Sequence, residues 1–292
     1  MNKVVALHSS DAGAVKRLAE TLGLPALQTG WVWLAGAGPG DPGLASLHTL
    51  HGIVDADVIL SDALANRDLL KLARSDAKIL DVGKRGGKRS SPQTAISRQL
   101  IAYARKGLRV LRLKGGDPLV FGRGGEEALA LVKAGIPFRI VPGVTAGIGG
   151  IAYAGIPATH RDTNQAVTFL TGSSAQGKAP DLDWEAIARG SPTIVMYMAR
   201  RHAGEIAAKL MAAGRNPREP AAIVSQASLP GQTTTVTELA ALGTAASAAD
   251  TPAIIVIGEN VRLAAGLDWL GALSGRLLDA DPLGQQSLRE TA

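Results

Sequence analysis

Leu113-Lys114-Gly115-Gly116-Asp117-Pro118-Leu119-Val120-Phe121-Gly122-Arg123-Gly124-Gly125-Glu126-Glu127 decides how this chain folds. It follows the run Arg109-Val110-Leu111-Arg112-Leu113, which reads as a strand, and it opens a segment of helical spacing at 125–134. Ligands of parallel α/β sheets sit beyond the carboxyl ends of the strands, where this loop must lie. Its glycines leave the strand end open to a flat ligand, and Asp117 is placed to accept a hydrogen bond from a ribose hydroxyl or an ammonium group. Two further strands end in the same way. The strand at 31–35 runs into Gly36-Ala37-Gly38-Pro39-Gly40-Asp41-Pro42-Gly43, and the strand at 138–141 into Pro142-Gly143-Val144-Thr145-Ala146-Gly147. Three small-residue loops at strand ends describe one small-molecule cleft that recognises its ligand through the backbone.

The neighbouring sequence extends the alternation. Strands are expected at 57–60 and 78–82, with helices at 44–54 and 67–74 and a third up to about residue 106, started by Ser91-Pro92 as N-cap and first-turn pair. Such alternation implies parallel βαβ units. Gly155-Ile156-Pro157 marks a boundary. Beyond it, strands at 166–171, 193–197, 221–224, 233–237 and 253–257 accompany helices near 183–188, 203–213 and 261–270. An amphipathic helix at 11–22, with Ser10 as its cap, precedes the first strand. The expected organisation is an N-terminal extension (1–30), an N-terminal α/β domain with a parallel sheet (31–155), a C-terminal α/β domain (156–272) and a polar tail (273–292).

Composition narrows the chemistry. A chain of 292 residues, 46% hydrophobic and 19% charged, is globular and long enough for two domains. The absence of cysteine removes disulfides, thiolate metal sites, iron–sulfur clusters and a cysteine nucleophile. The five histidines show no metal-binding spacing, so no metal is expected. No apolar run approaches the ~20 residues of a membrane span, and no signal-peptide pattern opens the chain, which predicts a cytoplasmic protein with no membrane partner. The glycine loop at Gly36 fails the dinucleotide fingerprint, because Asp41 stands at the third glycine and Pro39 removes an N–H. It fails the Walker pattern too, for want of a following Lys-Ser/Thr.

Charge is concentrated. The formal charge is +6, yet the stretch from Lys84 to Arg123 holds eleven Lys or Arg against the single acid Asp117. A field so localised attracts a polyanion. Part of it, Arg98, Arg105 and Lys106, falls on an expected helix and is assigned to solvent. Nucleic acid is one alternative partner, but no aromatic residues interleave with the basic ones to form a stacking platform. A small polycarboxylate or a phosphorylated ligand suits the charge equally.

The three loops, together with Gly83-Lys84-Arg85 and Ala154-Gly155-Ile156-Pro157-Ala158-Thr159-His160-Arg161-Asp162, resemble the uroporphyrinogen-III C-methyltransferase family of the tetrapyrrole methylases. The similarity runs in register from about Trp31 to Trp269. The resemblance implies two α/β domains with a cofactor cleft between them, S-adenosylmethionine (SAM) as methyl donor, no nucleotide cofactor, and a homodimer. The residues it implies for the cofactor are Pro39, Gly115, Gly116, Asp117, Val120, Thr145, Ala146, Met198, Ala227 and Ala253. It implies proton transfer by Asp62 and Lys84, with Lys84 either an acid or an anion anchor. Arg85, Arg123 and Arg161 are candidates for the eight carboxylates of the substrate. The implied reaction methylates carbons 2 and 7 of uroporphyrinogen III to give precorrin-2, and the chain is expected to stop there, without the dehydrogenase/chelatase module of multifunctional relatives. The sequence departs from the family pattern at Ser61, where tyrosine is usual, at Leu170-Thr171-Gly172-Ser173 and at Ser225-Gln226-Ala227-Ser228. The alternatives are a methylase for a later precorrin and, in another class, a nucleic-acid-binding protein.

Overall fold

Val32, Leu34, Ile59, Leu60, Leu111 and Leu113 are all fully buried, as strands covered on both faces require. They belong to the first of two units, Met1–Thr145 and Ala146–Ala292, of a computed structural model that describes residues 11–83, 93–174 and 176–285. Unit 1 contains α1 (Ala12–Thr21), β1 (Val32–Gly36), α2 (Leu47–Asp55), β2 (Val58–Ser61), β3 (Lys78–Asp81), α3 (Gln93–Arg105), β4 (Val110–Lys114), α4 (Gly124–Lys133) and β5 (Phe138–Val141). Its sheet has the order β3-β2-β4-β1-β5, and every neighbouring pair is parallel.

Alternation along the strands sorts the core into two layers. Trp33, Ala35, Ile59, Leu111 and Leu113 face Ile53 and Val54 of α2. Val32, Leu34, Leu60 and Val110 face Ile96 and Leu100 of α3 and Leu131 of α4. Arg112 and Lys114 share the second face by the same period of two, which brings two cations beneath α4. Just ahead of β2, Asp57 accepts from the Arg109 amide at 2.8 Å and from its guanidinium at 2.7 Å, and from Arg74 at 2.8 Å. The Arg109 guanidinium holds the Asp57 carboxyl well below the usual carboxylate range. Because the folded state depresses this group, its stabilisation is complete above the unfolded carboxyl pKa and is lost as the pH falls below it.

Several boundaries differ from the sequence reading. Residues 11–30 are part of unit 1: Ala12 and Val15 pack on its core, Leu27 is buried in it, and Lys16 lies 3.7 Å from Asp55. The helix expected at 44–54 starts at Leu47, capped by Ser46, because Pro42–Leu44 forms a separate 3₁₀ turn. The helix expected at 67–74 is a 3₁₀ helix, Arg67–Leu72, capped by Asn66. Ser10 and the Ser91-Pro92 pair lie outside the described residues.

Unit 2 contains β6 (Thr168–Thr171), α5 (Trp184–Gly190), β7 (Ile194–Tyr197), α6 (Ala203–Ala212), β8 (Pro220–Ser225), β9 (Thr233–Glu238), α7 (Leu242–Ala248), β10 (Ala253–Ile257), α8 (Ala264–Leu267) and α9 (Trp269–Ala272). The sheet order is β6-β7-β10-β8-β9, with β6 and β7 parallel and β10 antiparallel to both its neighbours. The division between units falls at Thr145/Ala146, ahead of the expected 155/156. The reason is packing: Ile151, Ala154 and Ile156 join Val195, Ala222 and Val256 in one apolar cluster of unit 2. Helix α7 was not anticipated, and the single helix expected at 261–270 is broken into a 3₁₀ turn, Glu259–Leu263, followed by α8 and α9. The start of the tail returns onto this unit, with the Asp279 amide donating to the Ala265 carbonyl at 2.9 Å.

Candidate active site

At the carboxyl end of the first sheet, three strand-end loops meet through their backbones. A Cβ built on Gly36 would lie 2.6 Å from the Gly143 Cα, and one built on Gly143 would lie 2.7 Å from the Gly36 Cα. Both would come closer still to the Gly116 carbonyl oxygen. Only glycine fits at either place. Gly38, at φ +78°, exchanges hydrogen bonds with Gly116: the Gly116 amide donates to the Gly38 carbonyl at 2.7 Å, and the Gly38 amide returns at 3.3 Å. Side chains then fix the first loop from outside. Thr49 donates to the Gly36 carbonyl at 2.9 Å and Asn66 to the Gly40 carbonyl at 2.6 Å. The result is a floor of main-chain atoms, with Pro39, Gly115, Gly116, Asp117, Val120 and Thr145 all on these three loops.

Asp117 also has a task within the protein. One carboxylate oxygen accepts from the Leu119 amide at 2.7 Å and the other from the Gly143 amide at 3.0 Å. It therefore ties the loop after β4 to the loop after β5. Asp117→Ala is expected to destabilise unit 1 by about 1–3 kcal/mol, because the partly buried Gly143 N–H loses its acceptor. Thermal melts alongside calorimetry with the cofactor check this, and an unchanged melt would show that the tie contributes nothing.

The same loop stores backbone strain. Phe121 and Arg123 adopt left-handed conformations at φ 51° and 59°, and Gly124 packs against the Pro118 backbone. Non-glycine residues hold such angles only where their surroundings over-determine them. In unit 2, Met198 (φ 55°), Gln226 (φ 49°) and Ser228 (φ 60°) do the same at the ends of β7 and β8. Because β10 runs antiparallel, its first residue, Ala253, lies opposite Ser225 at that same end of the sheet. Met198, Ala227 and Ala253 thus share one sheet end. Ala146 is close by, since the adjoining Gly147 amide donates to the Tyr197 hydroxyl at 2.8 Å and Gly150 abuts the Ala227 methyl.

Asp62 follows β2 directly. Its amide donates to the Leu113 carbonyl at 2.9 Å, and its Oδ1 accepts from Arg112 Nη2 at 3.1 Å. Arg112 is 2% exposed. Its Nε donates to Glu127 Oε1 at 3.1 Å, and Nη1 donates to the Leu60 and Leu113 carbonyls, each at 3.2 Å. Glu127 is fully buried, and its Oε1 also accepts from Lys114 at 3.3 Å and from Gln93 at 2.7 Å. Burial pushes the Lys114 ammonium below its ordinary pKa, the neighbouring Arg112 adds to that shift, and Glu127 opposes it.

This network corrects the charge reading. Of the basic residues between Lys84 and Arg123, Arg109 pairs with Asp57, Arg112 with Asp62 and Glu127, Lys114 with Glu127, and Arg123 with Glu126 at 2.7 Å. A linear count sees the cations and misses acids that the fold brings from outside the stretch. Arg123 is exposed at the N-terminus of α4, and Arg161 is exposed in the loop after Ile156. Lys84 and Arg85 lie outside the described residues. Sequence reading did not single out Glu127, Tyr197 or Asn66. For Glu127 a signal existed: Arg112 and Lys114 alternate with leucines in a central strand, so two buried cations needed an anion nearby.

Among the described residues, no group of three or more His, Asp or Glu converges to hold a metal ion, and no helix is long and apolar enough to cross a membrane. The family described as Tetrapyrrole (Corrin/Porphyrin) Methylases matches residues 32–243. A uroporphyrinogen-III C-methyltransferase from a Sinorhizobium species is 59% identical over 273 residues, covering 92% of this chain and 98% of that protein. A siroheme synthase from Neisseria meningitidis serogroup C is 49% identical over 84% of this chain, which spans only 51% of that longer protein. Among solved structures, a uroporphyrin-III C-methyl transferase from Thermus thermophilus, complexed with S-adenyl homocysteine, matches with TM-score 0.70 and 38% identity, covering 80% of this chain and 99% of that one.

Proposed function

This chain belongs to the tetrapyrrole methylases, and from that premise we propose that it transfers methyl groups from SAM to uroporphyrinogen III, yielding precorrin-2. The observation that carries the reading is the 59% identity to a uroporphyrinogen-III C-methyltransferase across nearly the whole of both chains. Incubation with SAM and uroporphyrinogen III, with products read by mass, tests it. The expected product has gained two methyl groups; transfer only to a later corrinoid, or none, would overturn it. The nucleic-acid alternative is weakened, because four of the eleven cations of the basic stretch are paired with acids.

The residues fit the cofactor. Three loops whose backbones meet at Gly36, Gly116 and Gly143, with no room for a Cβ, suit a ligand held by main-chain amides and carbonyls. Pro39, Gly115, Gly116, Asp117, Val120 and Thr145 of unit 1 and Ala146, Met198, Ala227 and Ala253 of unit 2 are assigned to it. When bound, SAM supplies an electrophilic sulfonium methyl, so no metal and no covalent nucleophile is called for, only in-line approach of an electron-rich pyrrole carbon. The macrocycle must then lose a proton, and Asp62 is assigned as the base. Arg112 anchors its Oδ1 and leaves Oδ2 to accept that proton. Arg85, Arg123 and Arg161 are assigned to the substrate carboxylates.

Lys84 is assigned as an anion anchor, since a substrate with eight carboxylates needs cations more than it needs an acid. Lys84→Ala is expected to raise the KM for the tetrapyrrole and to lower kcat, whereas Lys84→Arg keeps the charge and retains most activity. A guanidinium does not give up its proton, so an inactive Lys84→Arg would make Lys84 the acid instead. A homodimer is the expected assembly, consistent with large apolar side chains exposed on α4, Leu129 at 71% and Val132 at 60%. A monomer by sedimentation at assay concentration would refute the assembly without touching the reaction.

A further inference from the structure

We propose that Arg112 is a positioning residue for the reaction, holding the Asp62 carboxylate in one orientation through Nη2 while Glu127 holds Arg112 through Nε. The proposal rests on the reading of Asp62 as the base. Its geometric basis is the guanidinium itself. Arg112 carries five N–H donors in a fixed fork, and four acceptors take up four of them: Glu127 Oε1, Asp62 Oδ1 and the Leu60 and Leu113 carbonyls. With the plane of the fork fixed by the bonds of Nε and Nη1, the direction of the Nη2–H bond towards Asp62 is fixed as well. Asp62 needs such a guide. It stands just past the end of β2 with its side chain 31% exposed, where a short carboxylate has freedom to rotate. Arg112 and Glu127, at 2% and 0%, have none.

The burial pattern separates this arrangement from an ordinary core ion pair. A buried cation satisfied by Glu127 alone would close the network inside unit 1. Here the network continues outward from buried Lys114, Glu127 and Arg112 to partly exposed groups at two ends, Gln93 on α3 and the Asp62 carboxylate, and Asp62 is the one acid among its members that reaches solvent. Lysine at position 112 would keep the charge without the fork, and would not bridge Asp62 and Glu127 in one plane.

A double-mutant cycle on kcat tests the idea, using Asp62→Asn, Arg112→Met and the double variant. If Arg112 acts through Asp62, its single substitution lowers kcat by about 10–10²-fold with the KM values for SAM and tetrapyrrole held within about threefold, and the double variant is no slower than Asp62→Asn alone. Full kcat in Arg112→Met, or losses that multiply in the double variant, overturns the proposal. Should Arg112→Met not fold, Arg112→Lys serves, with kcat expected to fall while the thermal melt stays near that of the wild type; full kcat there overturns it equally. Failure of the premise looks different. A wild type that does not methylate uroporphyrinogen III, or an Asp62→Asn variant as active as wild type, removes the role of Asp62 and this proposal with it.

Discussion

Asp62→Ala is expected to lower turnover by about 10²–10⁴-fold while leaving SAM affinity near that of the wild type. The split follows from where the residue stands. Asp62 ends β2, one strand away from the loop after β4 that carries Gly115, Gly116 and Asp117, so its loss leaves the glycine floor intact. A base contributes only once the proton leaves the macrocycle, so the defect falls on kcat and not on cofactor binding. Single-turnover kinetics with calorimetry on the same preparation measures both. Equal losses in affinity and turnover would mean that Asp62 shapes the binding site, and full turnover would mean that proton removal needs no carboxylate from this strand. The substitution also frees Arg112 Nη2, so a modest loss of thermal stability accompanies it.

Gly143→Ala is expected to be as damaging by another route. Its methyl carbon would lie 2.7 Å from the Gly36 Cα and against the Gly116 carbonyl, and both neighbours are backbone, which cannot rotate away. The loops must separate. Overpacking of this kind costs about 3 kcal/mol or more, which for a domain of this size corresponds to roughly 6–12 °C in Tm. Cofactor affinity should fall by at least about 10²-fold, because the floor opens where the three loops meet. Gly125→Ala is the control, since nothing lies within 4 Å of a Cβ there. Wild-type affinity in Gly143→Ala would show that the three-loop contact is not what holds the cofactor.

Much of this was legible in the chain itself. The three glycine loops could be placed at strand ends because apolar runs and glycines alternate so regularly, and all five strands β1 to β5 followed from that pattern, though not their order in the sheet. Legibility failed wherever tertiary packing decided. Gly155-Ile156-Pro157 reads as a boundary because it is rich in turn formers, yet Ile151, Ala154 and Ile156 are core of unit 2. Residues 11–30 read as an extension until Leu27 and Val15 are seen on the Trp33 cluster. Reversal of β10 is invisible in its composition, because Ala253-Ile254-Ile255-Val256-Ile257 reads the same in a parallel or an antiparallel sheet. The charge stretch misled most: the partners of Arg109 and Arg112 are Asp57 and Asp62, some fifty positions away, and no local window joins them.

Those separations give the buried ions a meaning in time. Arg112 meets Asp62 across 50 residues and Glu127 across 15, while Gln93 reaches Glu127 across 34. Leaving any one of these charges buried without its partner costs about 3–5 kcal/mol, so a half-built version gains nothing from closing early. A nascent chain therefore keeps Arg112, Lys114 and Glu127 hydrated until β2, β4 and α4 are all synthesised and docked, and then dehydrates them together. Loop closure over such distances is slow compared with helix formation. The contacts that orient Asp62 therefore exist only once β2, β4 and α4 are in place, and a chain lacking any of them carries no aligned base.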